Sequence, residues 1–215
     1  MNEDQLLYLL QGAWGTVLLS VLSFIFSAIV GLSIALMRVS DRVVLRGAAF
    51  GYINIIQGTP LLVTMGICFY GPSVLGFQSV SALVAAVLAL TIQAAAFLGE
   101  IWRGCIESVP KNQWEAAECL GLNSVQRMFK VILPQALRIA TPPTVGFMVQ
   151  MVKNTSFASL VIGFAELTYN AKILNNSTFE PFLYFGAAAF LYFVICYPLS
   201  WLSLRLERKL TLAHN

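Results

Sequence analysis

A lysine followed by three hydrogen-bonding residues interrupts a long apolar stretch of this sequence. The run is Lys153-Asn154-Thr155-Ser156. If the stretch forms a helix in lipid, a lysine near its centre costs about 2.5–3.5 kcal/mol on insertion scales, so the ammonium group should face water or a counter-charge. We therefore expect Lys153 to complement a carboxylate, either of a solute or of a neighbouring helix. The alternative is a purely structural pair with Glu100 or Glu166.

Other polar residues stand inside apolar stretches as well. In the run Gln57-Gly58-Thr59-Pro60, Gly and Pro leave backbone groups free, which lipid tolerates only where they face protein or a wet cavity. The alternative is a kink that packs against a neighbouring helix. Gln93 can offer its amide to a polar path or to a helix–helix hydrogen bond. Glu100 and Glu166 lie toward the ends of their stretches, where we expect their carboxylates to reach the interface.

The stretch EAAECLGLNSVQRMFKVILP, which begins at Glu115, is a polar and helix-prone segment between apolar ones. Asn112 precedes Glu115 by three positions, a spacing that predicts a capped helix start. Gly121 stands where a short helix would end in a left-handed residue. Ala116 and Ala117 would give this helix a flat side that another surface could approach closely.

A second helix is expected to begin after Asn123 or Ser124 and to run up to Pro134, where we expect a bend. Its apolar residues follow the spacing of one buried helical face: Val125, Met128, Phe129 and Ile132. Arg127 and Lys130 would occupy the opposite face. From the residues alone, the helix pair can either rest on a membrane surface or dock another protein.

The composition places these features in a membrane protein. Of the 215 residues only 11% are charged, and the mean hydropathy is +0.77, whereas an ordinary soluble domain carries about 25% charged residues. The only histidine, His214, is expected in a solvated tail. The cysteines are far apart and are expected to be apolar fillers without a disulfide or a metal: Cys68, Cys105, Cys119 and Cys196.

Apolar runs long enough to cross about 30 Å of hydrocarbon predict five transmembrane helices in one all-α domain covering residues 1–215. The expected spans are 12–37, 48–70, 79–102, 137–165 and 182–204, with a polar loop at 103–136. Eleven of the 13 basic residues would then lie on one side of the membrane. By the positive-inside rule that side is the cytoplasm, which places the N-terminus outside and the C-terminus inside.

The polar loop carries a motif. Glu115-Ala116-Ala117, three residues, Gly121, nine residues and then Val131-Ile132-Leu133-Pro134 resembles the EAA loop of ABC importer permeases, with Val131 in place of the usual Ile. Further runs resemble the polar amino-acid uptake subfamily from roughly residue 12 to 210: QGTPLL at 57–62, EIWRGCIESVPKNQWEAA at 100–117, LPQALRIATPP at 133–143, KNTSFAS at 153–159 and ELTYNA at 166–171. Gln57 departs from the pattern, because many relatives carry Arg before GTP.

The resemblance implies the type I importer fold, also called MetI-like, and import of a polar amino acid across the bacterial inner membrane. In that family the short EAA helix is a coupling helix that seats in a groove of a separate cytoplasmic ATPase. The matching residues here are Asn112, Glu115, Ala116, Ala117, Gly121 and Leu122. The candidates for the substrate path are Gln57, Gly58, Thr59, Pro60, Gln93, Glu100, Lys153, Asn154, Thr155 and Ser156.

The partners follow from the same resemblance: a second permease subunit, identical or paralogous, two ATPase subunits and an external substrate-binding protein that the loop 166–181 can touch. No Gly-x4-Gly-Lys-Ser/Thr loop occurs, so ATP and Mg are expected on the ATPase chain, and this chain is expected to be neither an enzyme nor a nucleic-acid binder. The alternatives are a permease of the same fold for another small polar solute and a regulatory membrane subunit without transport.

Overall fold

The structure is a computed structural model that describes residues 1–212, so His214 lies outside the described residues. All regular structure in this range is helical, as expected. The α-helices are α1 (Glu3–Arg38), α2 (Val43–Gln57), α3 (Leu61–Val74), α4 (Ala82–Glu107), α5 (Lys111–Cys119), α6 (Ser124–Arg127), α7 (Leu133–Asn154), α8 (Ser156–Val161), α9 (Leu167–Thr178) and α10 (Pro181–Leu212), and a π-helical turn covers Met128–Ile132.

Helix α4 forms the centre of the fold because small residues let its neighbours approach closely. Its alanines are buried under α1, α2, α3 and α7, and those with almost no exposed surface are Ala85, Ala86, Ala89, Ala94, Ala95 and Ala96. Where α1 crosses α4, a Cβ on Gly99 would lie 2.7 Å from the Ile34 side chain. A Cβ on Gly31 of α1 would lie 3.1 Å from the Leu98 side chain. The α1–α4 contact therefore depends on glycine at both positions.

Among the described residues, three helices are long and apolar enough to cross a membrane by themselves: α1, α4 and α10. Helices α2 and α3 qualify as one bent pair, with 99° between them. The break follows from Pro60, which has no N–H to donate to the preceding turn and disfavours a helical conformation at the residue before it. The Thr59 hydroxyl donates to the Ile55 carbonyl at 2.8 Å, which satisfies one of the backbone groups near the break.

The expected span at 137–165 corresponds to two helices, α7 and α8, rather than to one. Helix α7 ends at Asn154, and α8 ends before Gly163, which has a left-handed φ of +66°. Lys153 is thus the second-to-last residue of α7. The expectation that it lies near the centre of one long helix was wrong. Helix α9 then packs between α1 and α10.

Candidate functional site

Helix α5 carries the EAA residues, but it does not begin as expected. Pro110, with an extended backbone, occupies the N-cap position, and Asn112 lies within the first turn without a capping hydrogen bond. The expectation of a cap at Asn112 was therefore wrong by two residues. The physical reason is that proline lacks the N–H that a helix start leaves unpaired, and its fixed φ favours the extended entry into the helix.

The end of α5 and the start of α6 agree with the sequence. Gly121 has a φ of +74°, the left-handed conformation in which glycine avoids a side-chain clash. Asn123 caps α6 by accepting a hydrogen bond from the backbone N–H of Gln126 at 2.9 Å, and the Gln126 side chain accepts from the Asn123 N–H at 3.2 Å. Together these features fix a tight turn between the two helices.

Side chains that the sequence reading missed hold α5 against the helix that follows it. The Arg127 guanidinium pairs with Glu118 at 2.9 Å and lies 5.8 Å from the centre of the Trp114 ring. Gln135 donates to Gln113 at 3.3 Å. Arg127 and Gln135 belong to the segment that runs into α7, so these contacts join α5 to that segment. The sequence carries a sign of this contact: α5 has an acidic and an aromatic residue, Glu118 and Trp114, and the basic Arg127 follows in α6.

The docking candidates differ in exposure. Asn112, Glu115, Ala116 and Gly121 are exposed and Leu122 is half-buried. Ala117 is only 2% exposed, so its side chain packs inside the chain instead of offering a flat surface to a partner. This corrects the expectation for Ala117, whose small size serves the packing of α5 itself.

The expected apolar face of the following helix is confirmed only in part. Ile132 is buried and Met128 is half-buried, but Val125 is 66% and Phe129 54% exposed. The helical period changes at the π-turn, which rotates later residues relative to earlier ones. Helical backbone continues past Pro134, which lies in the first turn of α7 where a proline is tolerated, so Pro134 does not end the helical segment.

The polar run at residues 153–156 does not converge on one site. Lys153 and Ser156 line a cavity of about 600 Å³ together with Thr168 and Tyr192. Asn154 lines a different cavity on another side of α7. Thr155 is fully buried, and its hydroxyl donates to the Val152 carbonyl at 2.8 Å. Because the backbone remains helical through residue 155, successive side chains point about 100° apart.

The second cavity has a volume of about 500 Å³ and lies between α4 and α7. We call it the amide cavity because Gln93, Gln150 and Asn154 line it. The Gln150 side-chain amide donates to the side-chain Oδ1 of Asn154 at 3.0 Å. Across the cavity, the buried Oε1 of Gln93 has no hydrogen-bond partner among the described residues. An unpaired buried acceptor costs free energy, so this oxygen is suited to a donor that enters the cavity. Gln150 was missed by the sequence reading.

The break between α2 and α3 does not place its own side chains in either of these cavities. Gln57, Gly58 and Pro60 are exposed and Thr59 is half-buried, whereas Leu61, the first residue of α3, lines the amide cavity. The break therefore positions α3 beside the cavity rather than supplying polar groups to it.

Glu100 belongs to a charge cluster near the C-terminal end of α4 and lines neither cavity. Its carboxylate pairs with Arg103 at 2.5 Å and with Arg38 at 3.8 Å, and Arg103 also pairs with Glu107. Among the described residues no ion pair joins Lys153 to Glu100 or to Glu166, so the structural pair considered for Lys153 is not formed.

Glu166 is fully buried, which corrects the expectation that its carboxylate reaches the interface. It is the N-cap of α9, where it accepts hydrogen bonds from the backbone N–H groups of Thr168 and Tyr169, both at 2.9 Å. The Tyr192 hydroxyl of α10 donates to it at 2.6 Å. The apolar surroundings in the sequence gave no sign that these donors, far apart along the chain, would meet.

Comparison with known proteins gives a consistent result. The family model for the binding-protein-dependent transport system inner membrane component matches residues 27–212. Among curated proteins, the L-cystine transport system permease protein TcyB of Bacillus subtilis is 38% identical over 200 residues, which cover 93% of this chain and 85% of TcyB.

Two further similarities extend over most of the chain. The probable amino-acid ABC transporter permease protein YckA of Bacillus subtilis is 36% identical over 189 residues, covering 88% of this chain and 83% of YckA. A solved amino acid ABC transporter with histidines has a chain that superposes with a TM-score of 0.86 at 34% identity, covering 94% of both chains.

Proposed function

This chain belongs to the binding-protein-dependent transport system inner membrane component family and is a permease subunit of an amino-acid ABC transporter, and we propose that α5 couples it to the ATPase. The chain is not itself catalytic, since ATP hydrolysis belongs to a separate chain, which is where ATP and Mg bind. The observation that carries the coupling proposal is the exposed α5 helix, bound through Arg127 to the segment that enters α7.

In the proposed mechanism α5 moves with the ATPase and pulls on α7 through the contacts of Arg127. Asn112, Glu115, Ala116 and Gly121 present the exposed surface of α5 and its C-terminal turn to a groove of the ATPase. When two ATPase subunits close on ATP, α5 moves with them. Because Glu118 is 75% exposed, water screens its ion pair with the half-buried Arg127, and the pair contributes only about 0–1 kcal/mol to stability. The role of the ion pair is mechanical, because it transfers the displacement of α5 to the segment that enters α7.

The membrane arrangement is proposed from the same helices. Helices α1, α4 and α10, the bent pair α2–α3 and the pair α7–α8 make five crossings, with the N-terminus outside and the C-terminus inside. The clustering of basic residues on one side supports this orientation. The location is the bacterial inner membrane. With that orientation α5 lies in the cytoplasm and the α9 region, residues 166–181, lies outside, where it can meet an external binding protein.

The proposed substrate is a polar amino acid, which brings its own positive and negative charge. The amide cavity offers an unpaired acceptor on Gln93 and an amide pair on Gln150 and Asn154, groups suited to an ammonium donor. Lys153 is exposed and lines the neighbouring cavity with Ser156, where its ammonium can complement a carboxylate. A polar amino acid moving past α7 would meet donors, acceptors and one fixed cation.

A second permease subunit completes the transporter. Five crossings are few to enclose a polar path, and α10 leaves large apolar side chains exposed over much of its length: Phe182, Phe190, Phe193, Tyr197 and Trp201. Lipid covers part of this surface, and a second permease, identical or paralogous, covers the part that faces the path. Two ATPase subunits and an external binding protein complete the assembly.

The test is uptake into vesicles that contain the permease and the ATPase, with ATP inside and a panel of radiolabelled amino acids and binding protein outside. Uptake is expected to require ATP, the ATPase and the binding protein. Glu115→Ala should abolish most uptake, whereas Lys111→Ala, at an exposed position on the same helix outside the EAA motif, should retain it. Uptake by the permease alone, or equal uptake by both variants, would contradict the proposal.

A further inference from the structure

The buried carboxylate of Glu166 binds donors from three separate helices. It accepts from Tyr192 of α10 at 2.6 Å and from the backbone N–H groups at the start of α9, both at 2.9 Å. The Thr16 hydroxyl of α1 lies 3.5 Å from it. All of these groups can donate, and an ionised carboxylate is the side chain that only accepts. A glutamine at this position would direct an N–H toward other donors.

The connection between α1 and α9 does not depend on this carboxylate alone. Gly12 and Gly15 let α1 approach the backbone at Ala165–Leu167 closely, and a Cβ on Gly15 would lie 2.5 Å from the Ala165 carbonyl oxygen. The Asn170 side chain also donates to the Tyr8 carbonyl at 2.6 Å. Helices α1 and α9 are therefore held together by backbone contact over two turns.

The connection between α9 and α10 adds a polar contact to apolar packing, in which Ala188 of α10 is buried against Leu167 and Ala171 of α9. Tyr192 reaches α9 through its hydroxyl, which lies 2.6 Å from Glu166 and 3.0 Å from the Thr168 hydroxyl. Tyr192 and Thr168 also line the cavity that contains Lys153. The hydrogen bond to Glu166 thus ties the α10 wall of that cavity to the start of α9 at Tyr192.

We propose that Glu166 is a positioning residue for the Lys153 cavity: it holds Tyr192, and through Tyr192 the α10 wall, at a fixed distance from α9 and α1. Glu166 itself does not line the cavity. Its effect on transport passes through Tyr192, and this effect rests on the proposed function because the cavity is taken to meet the solute carboxylate. A hydrogen bond to a charged acceptor is among the stronger ones in proteins, so its loss lets the wall shift at Tyr192 while the apolar packing keeps α9 and α10 together.

The transport test compares Tyr192→Phe with Tyr169→Phe in the assembled transporter. Tyr192→Phe removes the hydroxyl that joins α10 to Glu166 and leaves the α9 cap intact, so folding is preserved. The Tyr169 hydroxyl makes no hydrogen bond with the described residues, which makes it a matched control. Tyr192→Phe is expected to raise KM for uptake about 3- to 10-fold with kcat within about twofold, less than the full loss of a charge-assisted hydrogen bond because the effect reaches the solute only through the wall. An unchanged KM would overturn the proposal.

A second readout needs no transport. Cys196 lies one turn beyond Tyr192 on the same cavity wall and is buried. In purified permease whose other cysteines are replaced by serine, a small maleimide should label Cys196 several times faster in Tyr192→Phe and in Glu166→Asp than in the parent. Glu166→Asp keeps a carboxylate for the α9 cap but withdraws it from Tyr192, so the double variant should label no faster than either single one.

The two readouts separate the possible failures. If wild-type vesicles take up no amino acid, the proposed function fails, and the labelling rates still test the positioning by Glu166. If uptake is normal and neither KM nor the labelling rate changes in Tyr192→Phe, the proposed function stands and the role of Glu166 is refuted. Faster labelling with unchanged KM also refutes the proposal, because the wall would then move without affecting the solute.

Discussion

Gly15→Ala gives the sharpest test of the packing between α1 and α9. A Cβ at this position would lie 2.5 Å from the Ala165 carbonyl oxygen, a backbone atom that can move only with the chain around it. Overpacking of this kind costs about 1–3 kcal/mol. Alanine in a helix interior is in turn favoured over glycine by about 0.5–1 kcal/mol. The net loss of stability relative to the parent is therefore about 0–2.5 kcal/mol.

Gly104→Ala is the matched control because Gly104 also lies inside a helix but has nothing within 4 Å of the added Cβ. The helix-propensity gain is common to both variants, so the difference between them isolates the clash. For a chain of 150–250 residues, 1 kcal/mol shifts Tm by about 2–4 °C. In a thermal scan of the purified permease, Gly15→Ala should unfold about 2–12 °C below Gly104→Ala. Equal Tm values would refute the close approach of α1 and α9.

Three further predictions concern transport by the assembled complex. Lys153→Met should raise KM for uptake about tenfold, as expected for loss of a charged hydrogen bond, while Lys172→Met should not; equal effects would remove the role of Lys153. Gly121→Ala strains a left-handed residue by about 1–2 kcal/mol. The variant should therefore weaken the stimulation of ATP hydrolysis by substrate. Gly76→Ala, at a left-handed residue far from α5, should leave this stimulation unchanged. Gln93→Leu should raise KM about fivefold or more, measured by uptake, because the cavity loses its unpaired acceptor; an unchanged KM would exclude this acceptor from the path.

The parts of the fold that the sequence predicted are those set by local chemistry. The all-helical fold follows from long apolar runs, the left-handed Gly121 from the absence of a side chain, and the start of α6 directly after Asn123, one of the two expected positions, from a short polar residue before a helix. The misplaced cap at Asn112 is also local: Pro110 competes for the same position, and its conformational restriction decided the outcome.

The parts that could not be predicted depend on contacts between distant segments. Glu166 is buried because donors from α1 and α10 surround it, and Thr16 lies 150 residues away along the chain. Lys153 and Asn154 line different cavities because α7 presents them to different neighbours. The order of the residues does not indicate which helix packs against which face of α7. The polar run at 153–156 therefore suggests a single site, whereas its side chains line two separate cavities.

Cross-linking from α5 to the ATPase tests the central claim most directly. In a chain whose exposed Cys119 is replaced by serine, Ala116→Cys places a thiol on the exposed side of α5, and Ala117→Cys places one on the buried side. With a short bifunctional reagent in vesicles, Ala116→Cys should cross-link to the ATPase, with a yield that changes when ATP binds, while Ala117→Cys should give little product. Labelling of Ala116→Cys by an impermeant reagent from the outside, or no ATPase adduct from either variant, would contradict the assignment of α5 as the coupling helix.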